Sequence, residues 1–492
     1  MPQQPNVLLV TTDHWPAALL GVAGHSTIQT PTLDQLARNG VRYTNAYSEC
    51  PICIPARRTL MTGTAPRTHG DRTFKTDEPM PDLPTMAQTF RDAGYQANAV
   101  GKLHVMPQRD RIGFDDVILA EEGRPQLGTI DDYELWLADH GHAGQSFAHG
   151  MCNNDYLSRP WHLEERFHVT NWASQQMART IKRRDPTRPA FWFLSYCHPH
   201  PPLVPLQAYL DMYRDVQPER PYMGNWIGDG TVPTFLQAVQ DRWGWMSDYQ
   251  IDWIQRAFYA LCTHIDHQLR VVIGTLREER LLDNTIILFT SDHGDMLGNH
   301  GLWAKRLLYE GAANVPMILM GAANGERVGH HRVDERLVGW QDVMPTLLDL
   351  AGIEAPGTVE GISMVGSEQR ESLYGEVDEG IAATRMIRSG QHKLIYYAAG
   401  NHMQLFDLES DPYECVDVAG SPEHADVQGT LTEQLMDELY GDELSWVQNG
   451  VLVGLPAVEY TPRPNRGLSG QRGVHWPPPP LDLSGRVIGA PV

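Results

Sequence analysis

The side chains with the clearest chemical potential lie in Cys50-Pro-Ile-Cys53-Ile-Pro55-Ala-Arg57-Arg-Thr-Leu-Met-Thr62-Gly63. Cys50 and Cys53 form a C-x-x-C pair, which can act as a redox dithiol or as half of a zinc site. No second C-x-x-C completes a zinc site, the pair is bracketed by Pro51 and Pro55, and the βαβ context of a redox motif is missing. Other reactive groups follow apolar runs. Asp13 and His14 come after 6–12, Lys102 and His104 after 95–100, His198 and His200 after 190–196, and Asp292 and His293 after 285–290. Aspartates are oxygen ligands for a hard divalent cation, imidazoles bind metals or move protons, and lysine or arginine neutralises an anion. Taken singly, His104 and His200 read as structural histidines, and Asp13 and Asp292 as strand-end caps or ion-pair partners.

The elements that must position these groups follow from patterning. The runs at 6–12, 95–100, 190–196, 285–290 and 317–320 have the length and apolar character of buried parallel strands. Between them, 254–280 carries a helical stripe (Ile254, Phe258, Leu261, Ile265, Leu269, Val272, Leu276), and 342–351 is a second helix stopped by Gly352. This predicts an α/β fold, a large mostly parallel sheet flanked by helices, with ligands at the carboxyl ends of its strands. After about residue 380, antiparallel strands at 386–399 and 404–408 and a helix at 427–439 predict a smaller C-terminal α+β subdomain. The expected units are 1–380, 381–460 and a Pro/Gly-rich tail at 461–492. The tail cannot build a core of its own and is a possible homo-oligomer contact. His264-x-Asp266-His267 lies on the long helix and reads as a packing face, with Asp266 buttressing the sheet, before it reads as a metal site.

Read from Cys53, the motif is C-x-P-x-R, through Pro55 and Arg57, followed by Leu60, Thr62 and Gly63. It resembles the signature of the type I, formylglycine-dependent sulfatases of the alkaline phosphatase superfamily. Further motifs resemble that family in order along the chain: Asp13 after the first strand, Gly101-Lys102-Leu103-His104, Pro199-His200-Pro201-Pro202, Ser291-Asp292-His293-Gly294 and Gly301-Leu302-Trp303-Ala304-Lys305. Lys393-Leu394-Ile395, Leu405-Phe406-Asp407-Leu408 and Asp411-Pro412 resemble its closing subdomain.

The resemblance implies hydrolysis of a sulfate ester to an alcohol and inorganic sulfate. Cys53 would be oxidised by a separate maturase to formylglycine, whose hydrated aldehyde supplies the nucleophile. Asp13, His14, Cys53, Asp292 and His293 would hold one divalent metal, and Lys102 and Lys305 would contact sulfate oxygens. Arg57 would hold the nucleophile's oxygen. His200, with Lys305, would protonate the leaving alcohol, and His104 would take the proton that releases sulfate. His198 and Trp303 are candidate leaving-group contacts. The helix after the Cys53 turn is expected to begin at 59–63, presenting its N-terminus to the anion. Calcium is the ion the resemblance implies. His14 and His293 depart from the usual family pattern, and two imidazoles make Mn²⁺ the alternative. His293 also resembles the phosphonate monoester hydrolase and choline-sulfatase branches, so a phosphonate monoester hydrolase or phosphodiesterase is the alternative activity. A non-catalytic sulfated-ligand binding protein is the rival from another class.

Composition excludes other classes. The 492 residues are 41% hydrophobic and 20% charged, with 39 basic and 61 acidic residues and a net charge of −22. That sign disfavours nucleic acid or an anionic membrane surface as partner. The expected partner is a small sulfated substrate: an aryl, alkyl or carbohydrate sulfate. The six cysteines are too sparse for a disulfide framework. The first basic residue is Arg38 and no apolar run is long enough to span a membrane, so the expectation is a cytoplasmic protein.

Overall fold

The computed structural model describes residues 4–122, 130–151, 153–228, 232–244, 246–323 and 327–462. Residues 463–492, most of the expected tail, lie outside the described residues.

Eight strands form the large sheet: β1 (Asn6–Thr12), β2 (Val41–Tyr47), β3 (Gln96–Gly101), β4 (Asp116–Leu119), β5 (Ala190–Ser195), β6 (Thr285–Ser291), β7 (Met317–Met320) and β8 (Arg332–Gly339). Their order is β4-β3-β5-β1-β6-β7-β2-β8. All neighbours pair in parallel except where β7 pairs antiparallel with β6 and with β2. The fold class is the expected one. The run at 317–320 is a strand, but it alone opposes the rest.

Alternation along the central strands divides two cores. Leu8, Val10, Trp192, Leu194, Ile287 and Phe289 face the helices Val169–Lys182 and Asp248–Glu278. Val7, Leu9, Phe191, Phe193, Ile286 and Leu288 face the helices Cys53–Thr62 and Val343–Ala351. Both sheet faces are therefore buried, and the sequence runs are apolar throughout rather than alternating with polar residues. Asp266 does not buttress the sheet. Its carboxylate accepts the backbone N–H groups of Thr32 (3.0 Å) and Leu33 (2.8 Å), in the first turn of the Pro31–Arg38 helix. There it satisfies amides that have no partner within their own helix. His264 Nε2 sits 2.6 Å from Asn171 Oδ1.

The small sheet is antiparallel, in the order β12-β11-β10-β9, from β9 (Ser372–Val377), β10 (Thr384–Ser389), β11 (His392–Tyr397) and β12 (His402–Asp407). Its first strand precedes the boundary expected at 380. Sequence patterning missed it because Gly375 and Glu376 interrupt the apolar run. The helix Ala425–Glu438 packs on this sheet through Leu431 and Leu435. No described helix is long and apolar enough to cross a membrane.

The end of β3 is a point of close approach in the large sheet. Gly101 has φ +104°, and a Cβ there would lie 1.8 Å from the carbonyl oxygen of Ser195 on β5. Only glycine fits this approach, and it sets the direction of Lys102. Gly101→Ala should lower stability by at least about 2 kcal/mol, measured by denaturant unfolding.

Candidate active site

Four adjacent central strands, β3-β5-β1-β6, end at the groups singled out above. β1 delivers Asp13 and His14, β3 delivers Lys102 and His104, β5 leads to His198 and His200, and β6 delivers Asp292 and His293. The loop after β2 closes over them and starts a helix at Cys53. This helix runs Cys53–Thr62 and is capped by Gly63 at φ +65°, so 59–63 is its end and not its beginning. Pro55 is tolerated because first-turn amides have no partner within the helix. Cys53 is the first helical residue, where backbone N–H groups and the helix dipole favour an anion.

Cys53 Sγ is 2.7 Å from Lys305 Nζ, 3.3 Å from His293 Nε2 and 3.8 Å from Asp13 Oδ1. The ligand atoms of Asp13, Cys53, Asp292 and His293 all lie within 4.8 Å of one another, and all four residues are buried. Burial and Asp13 push the Cys53 thiol pKa up, but Lys305, Lys102 and His293 outweigh them and bring it below the ordinary value. The position is therefore built for an anion. Burial also opposes ionisation of Asp13, yet Lys102 and then Lys305 hold its carboxyl well below the usual range. Asp292 is raised, by burial and by the neighbouring Asp13.

Charge compensation accounts for the remaining contacts. Lys102, fully buried, bridges Asp13 and Glu122, the latter at 2.6 Å. Arg57, one turn along from Cys53, contacts Asp292 Oδ2 through Nε (3.1 Å). Its Nη1 donates to the Lys102 carbonyl and to Ser195 Oγ, both at 2.8 Å. Arg57 Nη2 is buried with no hydrogen-bond partner. Sequence reading aimed Arg57 at the nucleophile; here its guanidinium contacts the Asp292 carboxylate. His293 Nδ1 contacts the Gly294 carbonyl (2.9 Å), leaving Nε2 to face Asp13 Oδ1 (3.3 Å) and Asp292 Oδ1 (3.5 Å).

The donors suit a divalent cation. Two buried carboxylates, one imidazole and the residue-53 atom converge on a point where burying charge is costly unless it is paired.

The other expected residues divide. His200 is 2% exposed, with its ring centroid 4.5 Å from that of His14. His14, expected in one set with Asp292 and His293, has its ring centroid 4.5 Å from that of His293, and its ligand atoms group with those of Asp13 and His200. His104 follows a turn in which Glu121 Oε1 accepts the Leu103 and His104 amides (2.7 and 2.9 Å). Its φ is +62° and its ring meets Phe74 edge-on. His198 Nδ1 lies 3.2 Å from the His200 carbonyl, and its ring packs near His168. Trp303 is 3% exposed and packs against Tyr156 at 4.7 Å, within the core. A leaving-group contact through Trp303 is thus unsupported. Sequence reading missed Glu121, Glu122, Ser195, Tyr156 and Asp295. Of these, only Asp295 carried a local signal, as the second aspartate of Asp292-His293-Gly294-Asp295.

A mostly parallel sheet thus gathers carboxylates, imidazoles and lysines around the first residue of a helix, an arrangement suited to holding a cation and an anionic ester. The Sulfatase family profile matches residues 5–353, and an N-sulphoglucosamine sulphohydrolase C-terminal profile matches 298–440. The chain belongs to the sulfatase family and is a sulfuric ester hydrolase. An arylsulfatase of Clostridium perfringens (strain 13 / Type A) is 34% identical over 472 residues, 92% of this chain and 98% of that protein. A choline-sulfatase of Rhizobium meliloti (strain 1021) is 31% identical over 459 residues, 87% of this chain and 85% of that protein. The fold also resembles the crystal structure of a phosphonate monoester hydrolase of Agrobacterium radiobacter. The TM-score is 0.75 at 23% identity, covering 88% of this chain and 95% of the other.

Ser195→Ala removes one of the two acceptors of Arg57 Nη1. Losing a hydrogen bond to a charged group, about 1–3 kcal/mol, should lower kcat/KM roughly tenfold in steady-state assays with an aryl sulfate.

Proposed function

We propose that the chain hydrolyses small sulfate esters with a formylglycine made from Cys53 by a maturase and with one divalent cation, Ca²⁺ before Mn²⁺. The single observation that carries this reading is residue 53 at a helix N-terminus, 2.7 Å from Lys305 and within the buried group of Asp13, Asp292 and His293. A non-catalytic binding protein would have no use for so costly an arrangement. When bound, the cation would be held by Asp13, Asp292, His293 and the residue-53 side chain, and would supply charge stabilisation for the anionic ester.

The chain's own residues divide the remaining work. Lys102 and Lys305 neutralise sulfate oxygens, and Arg57 holds Asp292 and the helix in register. His200, beside the cavity, protonates the departing alcohol with Lys305. His104, fixed by Glu121, serves the proton transfer that releases sulfate. The cavity bounded by His198, His200, Glu122, Glu134, Trp161 and Tyr133 supplies the wall for the alcohol. Its rings and carboxylates favour a small neutral or cationic alcohol over a polyanionic chain. The arylsulfatase and choline-sulfatase relatives support that range.

The test is direct. Mass spectrometry of the residue-53 peptide after maturase co-expression should show loss of the thiol and gain of the aldehyde, and Cys53→Ala should lower turnover at least about a thousandfold. Full activity of a protein that keeps an unmodified Cys53 would sink the assignment. In paired assays, aryl sulfate should exceed aryl phosphonate in kcat/KM; the reverse order would favour the phosphonate monoester hydrolase reading. Exhaustive chelation should abolish turnover, with recovery on adding back Ca²⁺ or Mn²⁺ ranking the two ions.

A further inference from the structure

Asp295 is 1% exposed, and its ion-pair partner among the described residues is an imidazole, His14. Four groups meet its two oxygens. The Leu297 and Ala304 amides donate to Oδ1 at 3.0 and 3.1 Å. The Tyr156 hydroxyl donates to Oδ2, and His14 Nδ1 lies 2.7 Å from that same oxygen. The two oxygens therefore have different tasks. Oδ1 serves the backbone of the loop 295–304, which closes where the Met296 amide donates to the Ala304 carbonyl at 3.0 Å, one residue before Lys305. Oδ2 serves side chains alone. A capping role for the loop needs only the first.

A carboxylate that already accepts from three donors offers the fourth group only a lone pair. His14 Nδ1 therefore carries the proton, and the ring turns Nε2 away from Asp295. Nε2 is buried with no hydrogen-bond partner among the described residues, 3.8 Å from Asp13 Oδ1. The ring centroid is 4.5 Å from those of His200 and His293, so this nitrogen opens on the pocket at residue 53. Tyr156 is as firmly held. It is 4% exposed, and its ring packs on Trp303 at 4.7 Å and on Trp243 at 5.8 Å. Trp243 Nε1 in turn donates to the Asn154 carbonyl at 3.1 Å. Ser146, Phe147, His149 and Asn153, just before Tyr156 in the chain, line the cavity assigned to the alcohol.

We infer that Asp295 and Tyr156 are positioning residues for sulfate ester hydrolysis: together they fix His14 with Nδ1 protonated and Nε2 facing the pocket for the cation and the ester. Neither touches substrate. Asp295 sets the ring's tautomer and angle, as an outer carboxylate does for a working histidine. Tyr156 holds the carboxylate and ties that setting to the segment that walls the alcohol cavity. The role in turnover rests on the proposed function; the proton position on the ring does not.

Nitrogen NMR of histidine-labelled, chelated full-length protein reads the ring directly, the His14 signals being those lost in His14→Gln. In wild type, Nδ1 should be protonated and Nε2 should not. Asp295→Asn keeps an oxygen for the two backbone amides and turns an amide N–H toward the ring. It should move the proton to Nε2 and lower kcat for an aryl sulfate about 10–100-fold. Tyr156→Phe deletes one hydroxyl. It should lower kcat per folded molecule roughly tenfold and leave KM within about twofold, a split that loss of stability alone does not produce. An Nε2-protonated ring in wild type, an unchanged ring in Asp295→Asn, or a Tyr156→Phe enzyme that keeps its kcat overturns the assignment. If Asp295→Asn does not fold, the wild-type ring and the Tyr156→Phe kinetics decide. A matured wild type with the expected ring that turns over no sulfate ester overturns the proposed function instead.

Discussion

Two aspartates, Asp13 and Asp292, are held at zero solvent exposure with oxygens close enough to share one cation, and the rest of the site follows from that constraint. Buried carboxylates in contact repel each other and lose hydration, so each must be compensated. Lys102 serves Asp13, Arg57 serves Asp292, and His293 touches both. Lys102 in turn needs Glu122, and Arg57 needs Ser195 and the Lys102 carbonyl. Compensation thus spreads over β1, β3, β5, β6 and the Cys53 helix. Removing any one member leaves a partner buried and unpaired, which is far more costly than replacing a surface ion pair.

The backbone makes this density of charge possible. Consecutive residues on a strand point to opposite faces, so a strand alone cannot aim neighbouring side chains at one centre. Here the chain leaves β1 and β3 in left-handed turns, His14 with φ +74° and His104 with +62°, and the loop after β6 carries two more, Ala304 at +62° and Arg306 at +70°. Non-glycine residues in this region are strained and persist where the surroundings over-determine them. Glu121 and Asp295 provide that support, each accepting two backbone amides at such a turn. These acidic residues act on the site through main chain and through other side chains.

The chemistry follows from concentrating local positive charge within an acidic molecule. A chain of net charge −22 repels polyanions at long range, while Lys102, Lys305, Arg57 and a helix N-terminus accept a small anion at short range. Hydrolysis of a compact sulfate ester fits both facts. The adjoining cavity, proposed above as the wall for the alcohol, presents carboxylates and aromatic rings.

The fold class was legible because strands buried on both faces leave unbroken apolar runs, as at 6–12, 190–196 and 285–290. The residues directly after those runs marked the site, since parallel sheets present ligands at carboxyl ends. Motif order singled out Cys53, Lys102, His200, Asp292 and Lys305 without coordinates, and the structure gathers them at neighbouring strand ends. Glu121, Glu122 and Ser195 carried no such mark, because they act by contacts from the ends of β4 and β5 to Lys102, His104 and Arg57 that no local pattern encodes. The Cys53 helix starts earlier than the expected 59–63 for a related reason. Pro55 reads as a breaker, and only the packed loop after β2 reveals it as first-turn geometry. His14 follows Asp13 directly in sequence, and a left-handed turn places its ring centroid 4.5 Å from those of both His200 and His293. Local sequence determined which chemical groups are present and at which strand ends. Only tertiary structure decided which of them meet, because burial, charge compensation and backbone turns act between residues hundreds of positions apart.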